Sequence, residues 1–319
     1  MQSLPATATW SEKQAILSGN ITRLVTTQTG SKYLQNSQLS KSNPVLIEFL
    51  LAEIGEQLSP IMRNQYGNYF FQKLLSNCSV QQRLQILHLI KDDFIKICCH
   101  KQGTHTIQAI LDNVTTEEEE NFIKQALQGH IYELSIDEQG THVIRKVLQC
   151  RSFDQDRQSF IFQKIYDNLN QLCKNKQGLC VIKIIIGLTK TTEMKKRVIS
   201  QILQDLIELV SDPYGNYAVS TIVEKWEPKI CQPIFHKLAN KISELSIQKY
   251  SSCVIEKCLE SRDRETRSIF IREISETPRL FALVSHNYGN FVIQKALKLA
   301  HGREKDSLVE AIQQCAPQI

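Results

Sequence analysis

The chain of 319 residues carries 42% hydrophobic and 22% charged residues, which supplies a large core and argues against disorder. Its formal net charge of +5 favours an anionic partner only mildly, so charge placement has to decide. The ten cysteines form no Cys-x-x-Cys pair and have no histidine at zinc-finger spacing, which argues against a structural metal, and no cofactor motif stands out. With no apolar signal core and no apolar run near ~20 residues, the expectation is a reduced, cytoplasmic protein without a membrane span.

Residues 1–20, with Trp10, are expected to form an N-terminal extension or short cap, and residues 21–319 a single domain of eight repeats. The repeats share one frame, whose first variable positions are Ser31, Asn68, Thr104, Thr141, Leu179, Asn216, Ser252 and Asn290, at steps of 36 to 38 residues. Glycine immediately precedes that position in seven of eight cases, with Ser251 the exception, and a fixed backbone turn is expected there. Seven residues before the frame stand Leu24, Ile61, Ile97, Leu134, Leu172, Leu209, Leu245 and Leu283. Three after it stand Leu34, Phe71, Ile107, Ile144, Ile182, Val219, Ile255 and Ile293. Seven after it stand Leu75, Leu111, Leu148, Ile186, Val223, Leu259 and Leu297, broken only by Gln38 in the first repeat. Such spacing marks one helical face turned to a core.

Each unit closes with another amphipathic stretch, as at Ser79 to Ile90 or Thr191 to Leu206. The acidic run Glu117 to Glu120 after Thr115-Thr116 reads as a solvated first turn that favours the macrodipole below a threonine cap. Units of this kind cannot bury their faces alone, so they are expected to stack into an all-α curved solenoid with one concave surface.

On the glycine-led helix the fixed apolar positions leave the first, second and fifth positions free to vary. In chain order the trios are Ser31, Lys32, Gln35; Asn68, Tyr69, Gln72; Thr104, His105, Gln108; Thr141, His142, Arg145; Leu179, Cys180, Lys183; Asn216, Tyr217, Ser220; Ser252, Cys253, Glu256; and Asn290, Phe291, Gln294. In most of them a flat side chain sits between two that hydrogen-bond, which suits an unstacked base: two groups at its edge and one against its face. A merely solvated face would drift toward Glu, Lys and Ala, because Asn, Ser and Thr are mediocre helix formers.

With NYFFQ at 68–72, NFVIQ at 290–294 and SCVIEKC at 252–258, the chain resembles the Pumilio homology (PUF) family over essentially its whole length. The resemblance implies a right-handed, crescent-shaped α-solenoid of eight Pumilio-type repeats, each reading one base of single-stranded RNA, the last repeat taking the 5′ base. It implies uracil for Asn290 with Gln294 and for Asn68 with Gln72, guanine for Ser252 with Glu256, and adenine for Thr104 with Gln108 and Ser31 with Gln35. The two amides match the acceptor, donor, acceptor edge of uracil, and the acceptor-only carboxylate suits the two donors of guanine.

Three repeats depart from the family pattern. Asn216 keeps half of the uracil pair beside a short Ser220. Arg145 beside Thr141 offers donors that suit either the acceptors of cytosine or a phosphate, and Leu179 with Lys183 gives weak base choice. The target implied is 5′-UGUANAUA-like, in mRNA 3′ untranslated regions. The wider role implied is post-transcriptional regulation by a monomer that recruits deadenylase or translational repressor proteins on its convex face. The family's further C-terminal helical cap is expected to be missing after the eighth repeat. Lys73, Lys146, Lys257 and Lys295, one after the fifth position, read as a basic track beside the bases.

A protein-binding armadillo or HEAT-like scaffold would share the core but lack the registered trios. A divergent relative that binds RNA non-specifically, as in ribosome assembly, would fit the middle repeats but not the outer five. No nucleophile, base and orienting group recur together, so no enzyme is expected.

Overall fold

The computed structural model describes residues 14–15, 17–38, 44–150 and 159–315, and the expectations for Trp10, the Gln38 side chain and the chain end fall outside them. The chain divides into two compact units, residues 1–161 with the frames of Ser31 to Thr141 and residues 162–319 with those of Leu179 to Asn290. Among the described residues every regular element is a helix. None is long and apolar enough to cross a membrane.

Within each unit the repeats are built from three helices. In the first unit the short opening helices are Ile21–Val25, Leu58–Met62, Phe94–Cys98 and Ile131–Ile136. The glycine-bearing helices there are Gln28–Tyr33, which runs into a π-helix at Leu34–Gln38, then Gly67–Leu75, Gly103–Asn113 and Gly140–Gln149. In the second unit the short helices are Leu169–Cys173, Leu206–Ser211, Ile242–Ser246 and Leu280–Ser285, and the longer ones Lys176–Leu188, Gly215–Lys225, Ser251–Leu259 and Gly289–Leu299. The apolar residue seven before the frame therefore stands on its own short helix, and all eight copies are buried. The residues three after the frame are buried in every repeat, and so are those seven after it from Leu75 to Leu259, with Leu297 half-buried. Burying each such side chain contributes roughly 1.5–3 kcal/mol, which is why the period is kept so strictly.

The closing helices start where their caps predict. Ser79 and Gln82 form a capping box on Val80–Leu89, and Thr116 and Glu119 another on Glu117–Leu127. Thr191 and Asp263 cap Thr192–Gln204 and Arg264–Glu276, and Pro228 occupies the first turn of Pro228–Leu238. The acidic run departs from the solvated reading: Glu119 and Glu120 are buried. Glu119 is drawn in by Arg83 of the preceding repeat, whose Nε lies 2.7 Å from its Oε1.

The glycines are explained by close approach and not by an unusual turn. None of the seven has a positive φ. A Cβ on Gly30, Gly67, Gly103, Gly178, Gly215 or Gly289 would lie 2.3–2.7 Å from the carbonyl oxygen of the apolar residue on the short helix, and on Gly140 2.8 Å from Leu134 Cδ2. The exception turns the same proximity into a bond, because Ser251 Oγ donates to the Leu245 carbonyl at 2.6 Å.

Candidate nucleic-acid interface

A capping residue four before the frame fixes where each glycine-bearing helix begins. Asn64 Oδ1 accepts from the amides of Tyr66 and Gly67, both at 2.9 Å, and Asp137 Oδ1 from those of Gln139 and Gly140 at 2.9 and 2.6 Å. Asn175 and Asp212 do the same in the second unit, and Thr27 holds the amide of Gly30. His100 and His286 accept through Nδ1, which requires a neutral ring. Burial and the nearby Arg63 charge lower the His100 pKa and so favour that form. These residues set the start of the glycine-bearing helices, and an acceptor recurring at one offset is the signal by which the sequence reveals them.

The first positions lie largely beneath the surface. Ser31, Asn68, Thr104, Thr141, Leu179, Asn216 and Ser252 are buried, and Asn290 is half-buried. The side-chain donors of Ser31, Asn68, Thr104, Asn216 and Asn290 point back to the chain. Ser31 Oγ donates to the Tyr66 carbonyl at 2.9 Å and Thr104 Oγ1 to the Gln139 carbonyl at 3.1 Å, each in the next repeat. Asn68 Nδ2 donates to the carbonyls of Asn64 and Gln65, Asn216 to those of Asp212 and Pro213, and Asn290 to those of His286 and Asn287. Ser252 Oγ makes a long 3.4 Å contact to the Lys249 carbonyl.

What the buried residue leaves outward is an acceptor that holds the fifth side chain. Gln35 Nε2 donates to Ser31 Oγ at 2.8 Å, and Gln108 Nε2 to the carbonyl of Thr104 at 3.2 Å. Gln72 donates to Asn68 Oδ1 and Gln294 to Asn290 Oδ1, each at 3.2 Å. In these repeats one amide is oriented by its partner, leaving its Oε1 and one N–H for a ligand.

The second positions are turned outward in most repeats. Tyr69, Tyr217 and Phe291 are 60%, 54% and 53% exposed, unusual for large aromatics. Lys32, His105, His142 and Cys253 are exposed, whereas Cys180 is half-buried. Two further exposed aromatics, Tyr214 and Tyr288, stand two residues before the frame, where Tyr66 and Tyr250 also fall.

The remaining fifth positions vary in setting. Gln35, Gln72, Gln108, Arg145, Ser220 and Glu256 are half-buried; Lys183 and Gln294 are exposed. Burial raises the Glu256 pKa, against the pull of the Lys295 charge. Thr141 Oγ1 and Arg145 Nε are buried with no hydrogen-bond partner among the described residues. Lys183 Nζ lies 5.3 Å from the centre of the Tyr217 ring.

The basic track reads differently in three dimensions. Lys146 pairs with Asp112 at 2.5 Å, Lys257 with Glu260 at 2.9 Å and Glu224 at 3.6 Å, and Lys295 with Glu260 at 2.6 Å. The carboxylates stand at the ninth position of their repeats, so most of these pairs join neighbouring repeats. Hydrogen bonds from Lys295 and Lys257 lower the Glu260 pKa. Three of the four lysines are thus already partnered, which diminishes their charge toward a phosphate. Lys73 is exposed.

In each unit, repeated three-helix elements that bury the same apolar positions and present variable side chains at fixed offsets define α-helical binding repeats. The Pumilio-family RNA binding repeat matches residues 57–91, 93–125, 130–165, 205–239, 241–275 and 279–313, and the chain belongs to that family. The frames of Ser31 and Leu179 lie outside the matched residues. Pumilio homolog 12 of Arabidopsis thaliana is 34% identical over 302 residues, covering 92% of this chain and 49% of that protein. A Pumilio domain-containing protein of Schizosaccharomyces pombe is 30% identical over 305 residues, covering 96% of this chain and 44% of that protein. The chain therefore spans about half the length of these relatives. Among solved structures, the Puf4 RNA binding domain bound to the HO endonuclease RNA 3′ UTR recognition sequence matches with a TM-score of 0.83 and 29% identity over 93% of each chain. Family and fold are those of RNA-binding repeat proteins.

Proposed function

We propose that this chain binds single-stranded RNA sequence-specifically, one base per repeat and antiparallel to the strand, with a target in mRNA 3′ untranslated regions that opens with UG and closes with AUA, a set that includes 5′-UGUANAUA. The observation that carries this reading is the exposed flat side chain beside an oriented amide, at one offset in both units, as with Tyr69 and Gln72, His105 and Gln108, and Phe291 and Gln294. A held glutamine presents one acceptor and one donor, complementary to the N3–H and a carbonyl of uracil, and the ring beside it supplies the stack. The first residue sets where that amide stands, so its identity changes the base read without its having to touch the base. The relative solved with a 3′ UTR sequence supports the class of target. The wider role we infer is cytoplasmic control of mRNA stability or translation, with deadenylase or repressor proteins as partners of a monomeric binder.

Tyr69→Ala tests the stacking part of this reading. Because the ring is largely exposed, its loss should leave thermal unfolding unchanged while weakening RNA binding by about 1–3 kcal/mol in an anisotropy titration. Equal affinity for the eight-nucleotide target would remove stacking at this position.

A further inference from the structure

We propose that the fifth repeat reads no base, so that this chain accepts any of the four at the fourth position of its target. The inference rests on the antiparallel, one-base-per-repeat reading, which places the fourth base opposite Leu179, Cys180 and Lys183.

The first and fifth members of this trio lack what the repeats with a held amide use. Where a fifth-position amide is held, an oxygen of the first residue holds it, as Ser31 holds Gln35 and Asn68 holds Gln72. Leu179 is buried and has no side-chain polar atom, so its side chain offers nothing that could orient Lys183. The lysine is exposed and goes elsewhere: its ammonium lies 5.3 Å from the centre of the Tyr217 ring, the second-position residue of the next repeat. It takes up the ring that would flank the base from the side of the sixth repeat.

Even if a base displaces the ammonium, the lysine cannot choose among bases. It offers rotatable donors and no acceptor, and every base presents at least one acceptor on its edge. Cys180 on the other flank is half-buried, its thiol 3.6 Å from the Lys176 carbonyl, and it offers little face for stacking. An adenine at the fourth position, which the UGUA core would demand, therefore meets no group able to tell its N1 acceptor and N6 donor from the edges of other bases.

The test is a set of anisotropy titrations of the full chain against eight-nucleotide RNAs of sequence UGUNAAUA, with a second set carrying adenine in place of guanine at base two. Four dissociation constants within about threefold across base four, beside at least a tenfold loss on changing base two, support the proposal. A tenfold preference for one base at position four overturns it while leaving the general reading intact. Indifference at both positions overturns the general reading, and the proposal with it. The double substitution Leu179→Ser with Lys183→Gln, which copies the Ser31 and Gln35 pair, should install a preference of at least fivefold for adenine at base four. A folded double variant that stays indifferent would show that these two residues do not set the behaviour.

Discussion

Glu256→Gln should weaken binding to an RNA that begins UG and move the preference at the second base from guanine toward adenine. Guanine turns two neighbouring donors, its ring N–H and its amino group, toward whatever reads that edge, and a carboxylate meets both with acceptors. Glutamine replaces one acceptor with a donor, which opposes one donor of guanine but matches the acceptor and donor of adenine. A good two-point contact to a base is worth about 1–3 kcal/mol of discrimination, roughly 5- to 150-fold in affinity. Competition between UG and UA RNAs measures it, and an unchanged preference contradicts the assignment. Acid should mimic the substitution. Burial raises the Glu256 pKa, so the carboxyl protonates at a higher pH than an exposed glutamate would, and the preference for guanine should fall as pH drops through that raised value.

Arg83→Leu should cost about 3–5 kcal/mol of stability, the range for removing one partner of a buried ion pair. The Glu119 side chain is 2% exposed and that of Arg83 12%. The guanidinium is bidentate, with Nε 2.7 Å from Oε1 and Nη2 3.2 Å from Oε2, and Nη2 also donates to Thr115 Oγ1 at 2.7 Å. Its loss strands a carboxylate that still caps Glu117–Leu127 through the amides of Thr115 and Thr116. Burial alone would raise the Glu119 pKa, but the Arg83 and threonine hydrogen bonds outweigh it and the net shift is downward. The stability this carboxylate contributes is thus present above the ordinary glutamate value and lost as pH falls through its lowered folded value. Urea unfolding should show the loss in Arg83→Leu and recovery of most of it in Arg83→Leu with Glu119→Gln. A single variant within 1 kcal/mol of the parent would mean that Glu119 tolerates burial unpaired.

The core and the position of the site were legible in the sequence because both follow from short periods. Apolar residues three and seven after the frame mark one helical face, and the second position, between buried neighbours, had to point outward. What stayed hidden depends on contacts that apolar periodicity does not encode, some inside a repeat and some with the repeat before it. The glycine pattern was visible, but its cause, a short-helix carbonyl within 2.3–2.7 Å of where a Cβ would stand in most repeats, is a packing distance. Glu119 looked solvated beside three other glutamates until Arg83 of the previous repeat reached it. Lys146, Lys257 and Lys295 looked like a phosphate track until carboxylates at the ninth position met them. The N–H groups of the first-position asparagines close onto backbone carbonyls three and four residues back, a local choice that helix periodicity does not encode.

Selection of the full chain against a random RNA pool bears most directly on whether these ladders of side chains choose bases. An enriched eight-nucleotide motif that opens with UG and closes with AUA, leaving the fourth base unconstrained, is the expected result. Retention of RNA with no enriched motif would show that the helices grip the strand without reading it.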